Sequence, residues 1–221
     1  MLLPQTWFLA AFDRMAVCNC QMGVLAVSCS MKTKLTVLSG IMTALLTAGA
    51  ALAADPTAFD LIKAGDKYIG EQSKDKVVQI RSEKSVGTMT PNIWYVVYYD
   101  PDATLKAVEV KFGAGQKMDV SHPMRLLEPV TGADKVLEVS RLKVDSDKAL
   151  KTALAQPLLA NLKLTASQMW LQHGDDGPKW KIKLWVEKIN KPTEQADIGD
   201  LFISTTDGAV LKSDLHPNSA N

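Results

Sequence analysis

One order of elements runs twice along this chain, and it restricts the fold more than any single motif does. The first run opens with a helix-forming stretch from Asp55, with Pro56 at a first helical position, where its missing N–H costs nothing. Phe59, Ile62 and Ile69 fall near one face of it. β-Rich segments follow at Val77 to Glu83, Ile93 to Tyr99 and Leu105 to Phe112, and Gly113-Ala114-Gly115 turns into a short fourth around Lys117 to Val120. The second run repeats the order. Asp145-Ser146-Asp147 caps a helix whose Ala149, Leu150, Ala153 and Leu154 share a face, and Pro157 ends it. Strands are expected at Leu164 to Gln172, Trp180 to Lys188, Leu201 to Ser204 and Ala209 to Lys212. The turns between them are Gly174-Asp175-Asp176-Gly177 and Asp207-Gly208. Trp94 and Trp180 stand at the openings of equivalent strands.

A helix followed by antiparallel strands buries its apolar stripe by lying across the sheet, which is an α+β arrangement. The expected fold is therefore two tandem repeats, each of one helix packed on an antiparallel sheet of three to four strands. Residues 54–128 form the first repeat and 129–221 the second. His122-Pro123 to Gly132 is the natural boundary, with Pro129 restricting its backbone.

What precedes residue 54 reads as an export signal. Lys32 and Lys34 give a basic head, Leu35 to Leu46 an apolar uncharged stretch, and Ala51-Leu52-Ala53 a small-x-small peptidase site. Cleavage is expected between Ala53 and Ala54. Residues 31–53 are then the signal peptide, Met31 the true start, and residues 1–30 an extension from a start codon called too early. The rival reading is an uncleaved anchor, since Leu35 to Ala54 is about long enough to span a bilayer. Cys18, Cys20 and Cys29 all lie ahead of the cleavage point, so the exported part would hold no disulfide and no thiolate site. The localisation expected is periplasmic or secreted, with no membrane attachment after cleavage.

Charge excludes one class of partner. The whole chain carries a formal +1, and its acidic and basic residues are interspersed. A phosphate backbone requires a marked basic excess, so no nucleic-acid partner is expected.

Period-two alternation gives a sharper expectation at the second hairpin. If Gly174 to Gly177 closes it symmetrically, Leu171 opposes Trp180 and Met169 opposes Ile182, an apolar set to be covered by the helix. The other face then carries Trp170 opposite Lys181, Gln168 opposite Lys183, and Trp185 further along. Two tryptophans among lysines read as a binding surface, because tryptophan anchors interfaces out of proportion to its frequency. The alternatives are that lysine stems cover the rings or that the other repeat packs there. Ile93 to Tyr99 is apolar on both faces, the pattern of a strand covered on both sides.

His122, His173 and His216 lie far apart in loops or at ends, so no metal is expected. Ser73-Lys74-Asp75-Lys76 and Ser140-Arg141-Leu142-Lys143 spell S-x-x-K without the S-D-N or K-T-G that would accompany it in a penicillin-binding enzyme. Asp100-Pro101-Asp102 and Asp175-Asp176 read as turn carboxylates. No nucleophile with an activating base can be assembled, so the chain is expected to be no enzyme and to need no cofactor.

Asp145-Ser146-Asp147-Lys148-Ala149-Leu150, the strand Trp180-Lys181-Ile182-Lys183-Leu184-Trp185-Val186, and Phe202-Ile203-Ser204 with Asp207-Gly208-Ala209-Val210 resemble the PepSY type of secreted bacterial domain. The tandem form is also similar to the secreted β-lactamase-inhibitor proteins, though without their disulfides. The resemblance implies a module that binds or restrains a peptidase in the cell envelope. The function expected is thus a non-enzymatic protein- or peptide-binding module, with an unidentified envelope protein or peptide as partner and Trp170, Lys181, Lys183 and Trp185 as its contact residues. The alternative is a carrier of a small apolar ligand, held between helix and sheet by Trp94, Tyr98 and Trp180.

Overall fold

The structure, a computed structural model, describes residues 55–123 and 132–221. The expected signal segment, its cleavage point at Ala53 and Ala54, and all three cysteines lie outside the described residues, as does most of the expected boundary around Pro129.

Helix α1 spans Ala58–Gly65. It starts later than Pro56 suggests, because Thr57 supplies the cap. The Thr57 hydroxyl accepts from the Asp60 N–H, and the Asp60 carboxylate accepts from the Thr57 N–H, a reciprocal capping box. Ala58, Leu61, Ile62 and Gly65 form its buried face, at the spacing of one helical stripe. Helix α2 spans Ser146–Leu154, with Asp145 at its N-cap and Ala149, Leu150 and Ala153 buried.

The strands are β1 (Val77–Ser82), β2 (Ile93–Tyr99), β3 (Ala107–Gly113) and β4 (Gln116–Ser121), then β5 (Leu164–Gly174), β6 (Gly177–Glu187), β7 (Gln195–Ser204) and β8 (Val210–Leu215). All eight belong to one sheet in the order β4-β3-β2-β1-β5-β6-β7-β8, and every pairing is antiparallel. This corrects the expectation of two tandem units, each a helix on its own small sheet. β1 and β5 would each be a bare edge in a separate unit, and pairing them satisfies both rows of amide groups at once.

The core is likewise continuous. Trp180, fully buried, stacks against Phe59 of α1 at 6.4 Å between ring centroids and meets Trp94 of β2 edge-on at 6.5 Å. Leu171, Ile182, Leu184, Ile198 and Leu201 on one flank share a single buried cluster with Ile80, Val96, Val110 and Phe112 on the other. Each fully buried aliphatic contributes about 1.5–3 kcal/mol relative to exposure, so neither flank retains its core alone. The polar ends of the three buried aromatics are satisfied. Trp180 donates its indole N–H to the Val144 carbonyl at 2.8 Å, Trp94 to Pro91 at 2.9 Å, and Tyr98 its hydroxyl to Ile62 at 2.9 Å.

The centre of the sheet is unusual. β1 and β5 pair only at Gln79↔Gln172, Ile80↔Leu171 and Arg81↔Trp170. Beyond Arg81, serine hydroxyls carry the connection. The Met169 N–H donates to Ser82 Oγ at 2.9 Å, the Ser167 N–H to Ser85 Oγ at 2.9 Å, and the Ser85 N–H to the Ser167 carbonyl at 2.8 Å. All three serines are buried. Both helices lie on the same side of this joint and share a cap. The Ala58 N–H donates to Ser146 Oγ and the Phe59 N–H to Asp145 Oδ1, so the cap of α2 also serves α1.

Candidate binding face

Opposite the helices, the odd-numbered residues of β6 point outward. Lys179, Lys181, Lys183 and Trp185 are half-buried, while Trp180, Ile182, Leu184 and Val186 alternate with them in the core. The register is the one read from the turn: Leu171↔Trp180, Met169↔Ile182, Trp170↔Lys181 and Gln168↔Lys183. The same register carries on to Ala166 beside Trp185, and a bulge between Leu164 and Ala166 then sets Leu164 beside Val186.

The four residues nominated from sequence therefore share one face. Lys181 Nζ lies 5.5 Å from the Trp170 ring centroid and 3.1 Å from Asp200 of β7. Lys183 Nζ lies 3.0 Å from Asp197. The Trp185 ring is capped not by either of these lysines but by Lys84, whose Nζ is 4.5 Å from the centroid and bonds to Gln195 Oε1 at 2.6 Å. Each such contact at a solvated site is worth about 0.5–1 kcal/mol, enough to orient a ring but not to hide it.

The face extends past these four residues. On β7, Phe202 lies between Lys179 and Lys212, at 5.9 and 5.8 Å. On β2, Tyr95 lies under the Arg81 guanidinium at 3.9 Å, with Lys111 at 5.1 Å. Sequence reasoning passed over Arg81, Tyr95, Asp197, Asp200 and Phe202. The signal was present: Tyr95 alternates with buried Trp94 and Val96, and Phe202 with buried Leu201 and Ile203, so the period that placed Trp170 reaches them too. The second face of β2 is partly covered at one corner, where Val136 and Tyr99 pack on buried Val78, Val97 and Ala107.

Charge on the face is neutralised in place. Arg81 pairs with Glu109 at 2.6 Å and Lys111 with Glu83 at 3.2 Å. The Tyr95 hydroxyl bond, followed by the cations Lys111 and Arg81, holds the Glu83 carboxyl below its ordinary range against the opposing effect of burial. Asp197 would be pushed up by burial, but the Gly199 N–H and Lys183 outweigh this and keep it low. The same Asp197 bond raises Lys183. These groups stay charged near neutrality, and their fields largely cancel.

The alternative pocket is not assembled as expected. Tyr98 and Trp180 are fully buried core residues with satisfied polar ends, and only Trp94 borders an open cleft. That cleft, about 310 Å³, lies beside the shared helix cap between Pro56, Pro91, Trp94, Leu150, Leu154 and Met169.

Other nominated groups are ordinary in context. Ser73 is buried, and Lys76 of the same S-x-x-K spelling gives its ammonium to the Gln72 carbonyl. His122 lies 3.8 Å from Asp100 and His216 3.5 Å from Asp214. Among the described residues, no group of three His, Cys, Asp or Glu side chains is placed to hold a metal ion, and no helix is long and apolar enough to cross a membrane. The chain matches no protein-family model, no curated protein and no solved structure.

Proposed function

We propose that this protein is a non-enzymatic binding module of the periplasm or secreted space that docks a protein or peptide onto the helix-free face of its sheet. The observation that carries the reading is the row Tyr95, Trp170, Trp185 and Phe202, aromatic rings left half-buried on a surface whose core was already completed by the opposite face. Aromatic side chains with stems and charges around them form the anchors of protein interfaces, desolvated centrally and rimmed by polar groups. The paired charges favour a protein surface bearing both signs over a polyanion, because Lys181, Lys183, Arg81 and Lys111 already face carboxylates. The resemblance of the β6 strand and closing hairpin to PepSY-type domains supports the same class of function, and the export signal supports the compartment.

The test uses the chain exported from its own host. Cross-linking on envelope extract should place the captured partner against β6, and the Trp170→Ala, Trp185→Ala double variant should keep its circular dichroism while binding at least about tenfold more weakly. Unfolding of that variant would reassign both rings to the core and remove the reading. A second reading, a carrier of a small apolar molecule, has one observation in its favour: the cleft at Trp94 is within the size range of small-molecule sites. A native mass spectrum of the exported protein showing retained small-molecule mass would favour it.

A further inference from the structure

We infer that a second copy of this chain pairs with strand β8, joining two sheets edge to edge across a two-fold axis through Ser213. β8 is the last strand of the sheet, and its residues from Val210 to Asp214 are exposed. It holds no proline, and the two large apolar side chains Val210 and Leu211 are 36% and 50% exposed. An edge of this kind presents a row of unpaired amide groups to another chain.

Parity decides which positions bond, and charge decides where the axis falls. The His216 N–H donates to the Ile198 carbonyl at 2.7 Å, so the even positions of β8 direct their amide groups at β7. The amides of Ser213 and Leu215 consequently point outward. Two such strands related by a two-fold bond through outward positions wherever the axis falls; at Lys212 or Asp214 it would set a charge against its own copy, and at Ser213 it does not. Ser213 then faces its own copy as a hydrogen-bonded pair, while the bulge at Leu211 takes its pair with Leu215 out of regular alternation. Lys212 faces Asp214 in the intervening pair, the kind in which side chains approach most closely.

This register is self-complementary in charge. Lys212 and Asp214 lie on one face of β8, with the ammonium 3.7 Å from the carboxylate within a chain. Across the axis, the lysine of each copy meets the aspartate of the other, giving two such pairs. The opposite edge does not offer the same: the bulge between Lys111 and Phe112 falls at Met118 in the middle of β4, whereas the one in β8 falls at Leu211, ahead of Lys212.

Sedimentation of protein expressed from the full 221-residue sequence tests this with no partner on the aromatic face. The expected result is a concentration-dependent dimer. Lys212→Glu and Asp214→Lys should each weaken it about tenfold or more, because each sets like charges opposite one another. The doubly exchanged Lys212→Glu, Asp214→Lys chain should regain it, since the exchanged charges again face their opposites. Both side chains are exposed, so the variants should melt as the parent does. A parent that remains monomeric at the highest soluble concentration would overturn the inference. So would single variants that dimerise unchanged, or a double variant that stays apart.

Discussion

The backbone N–H of Ala58 donates to the hydroxyl of Ser146 at 3.0 Å, 88 residues away in sequence, and both residues are buried. The first orphan amide of one helix is thereby satisfied by the cap of the other. Ser146→Ala leaves that amide buried without an acceptor, and the expected cost is about 1–3 kcal/mol in urea unfolding. Ser146→Thr, which retains the oxygen, should recover most of it. Equal loss in both variants would show that packing, not the bond, is what matters at this position.

Tyr98 sets the alkaline limit of the fold. Its ring lies under α1, its hydroxyl bonds to Ile62, and burial pushes its ionisation far above the ordinary tyrosine range, aided by Asp66 and Asp75. The unfolded chain releases this proton near pH 10, while the folded chain keeps it. Stability is therefore whole below about pH 10 and declines as pH rises beyond it. Tyr98→Phe should be less stable near neutrality by about 0.5–1.5 kcal/mol but lose less between pH 9 and 11 than the parent; equal slopes would refute the assignment. Gly65→Ala should be severe, because its Cβ would overlap the Tyr98 hydroxyl.

Arg81 and Glu109 form the most enclosed ion pair among the described residues, with side chains 10% and 8% exposed. Removing one partner strands the other charge, at a cost of about 3–5 kcal/mol, whereas replacing both with apolar groups is often near neutral. Glu109→Leu alone should lower the urea midpoint sharply, and adding Arg81→Met should return it close to the parent. A second substitution that merely adds to the first would mean the two groups act separately.

Gly199 adopts φ +104°, and an added Cβ would collide with the Asp214 carbonyl oxygen across the β7–β8 ladder. Gly199→Ala should cost about 1–3 kcal/mol and speed amide exchange in β8 before any other strand. Uniform acceleration over the whole sheet would show that β8 does not open by itself.

Local structure was largely legible in the sequence, and long-range assembly was not. The β6 alternation and the glycine-bounded turn before it determine register, because a slip by one residue would exchange Trp180 for Lys181 in the core. The chain order of helices and strands was equally readable from apolar period and turn residues. The single sheet was hidden, since the pairing of β1 with β5 depends on amide rows and small hydroxyls that leave no periodic trace. The nominated cavity failed for a related reason: aromatic residues near a helix were read as lining, yet Tyr98 and Trp180 each find a carbonyl and close over it. Arg81 and Glu109 escaped notice because nothing in the sequence relates charges on two strands that are not neighbours in the sheet.

The serine joint gives the middle of this sheet a property its margins lack. A ladder amide is fixed by the backbone, but the oxygens of Ser82 and Ser85 can swing about a single bond and still accept. The two wings are thus joined along that line by side-chain oxygens in series with the backbone rungs at Gln79, Ile80, Arg81 and Ser85, and the aromatic surface runs across the seam.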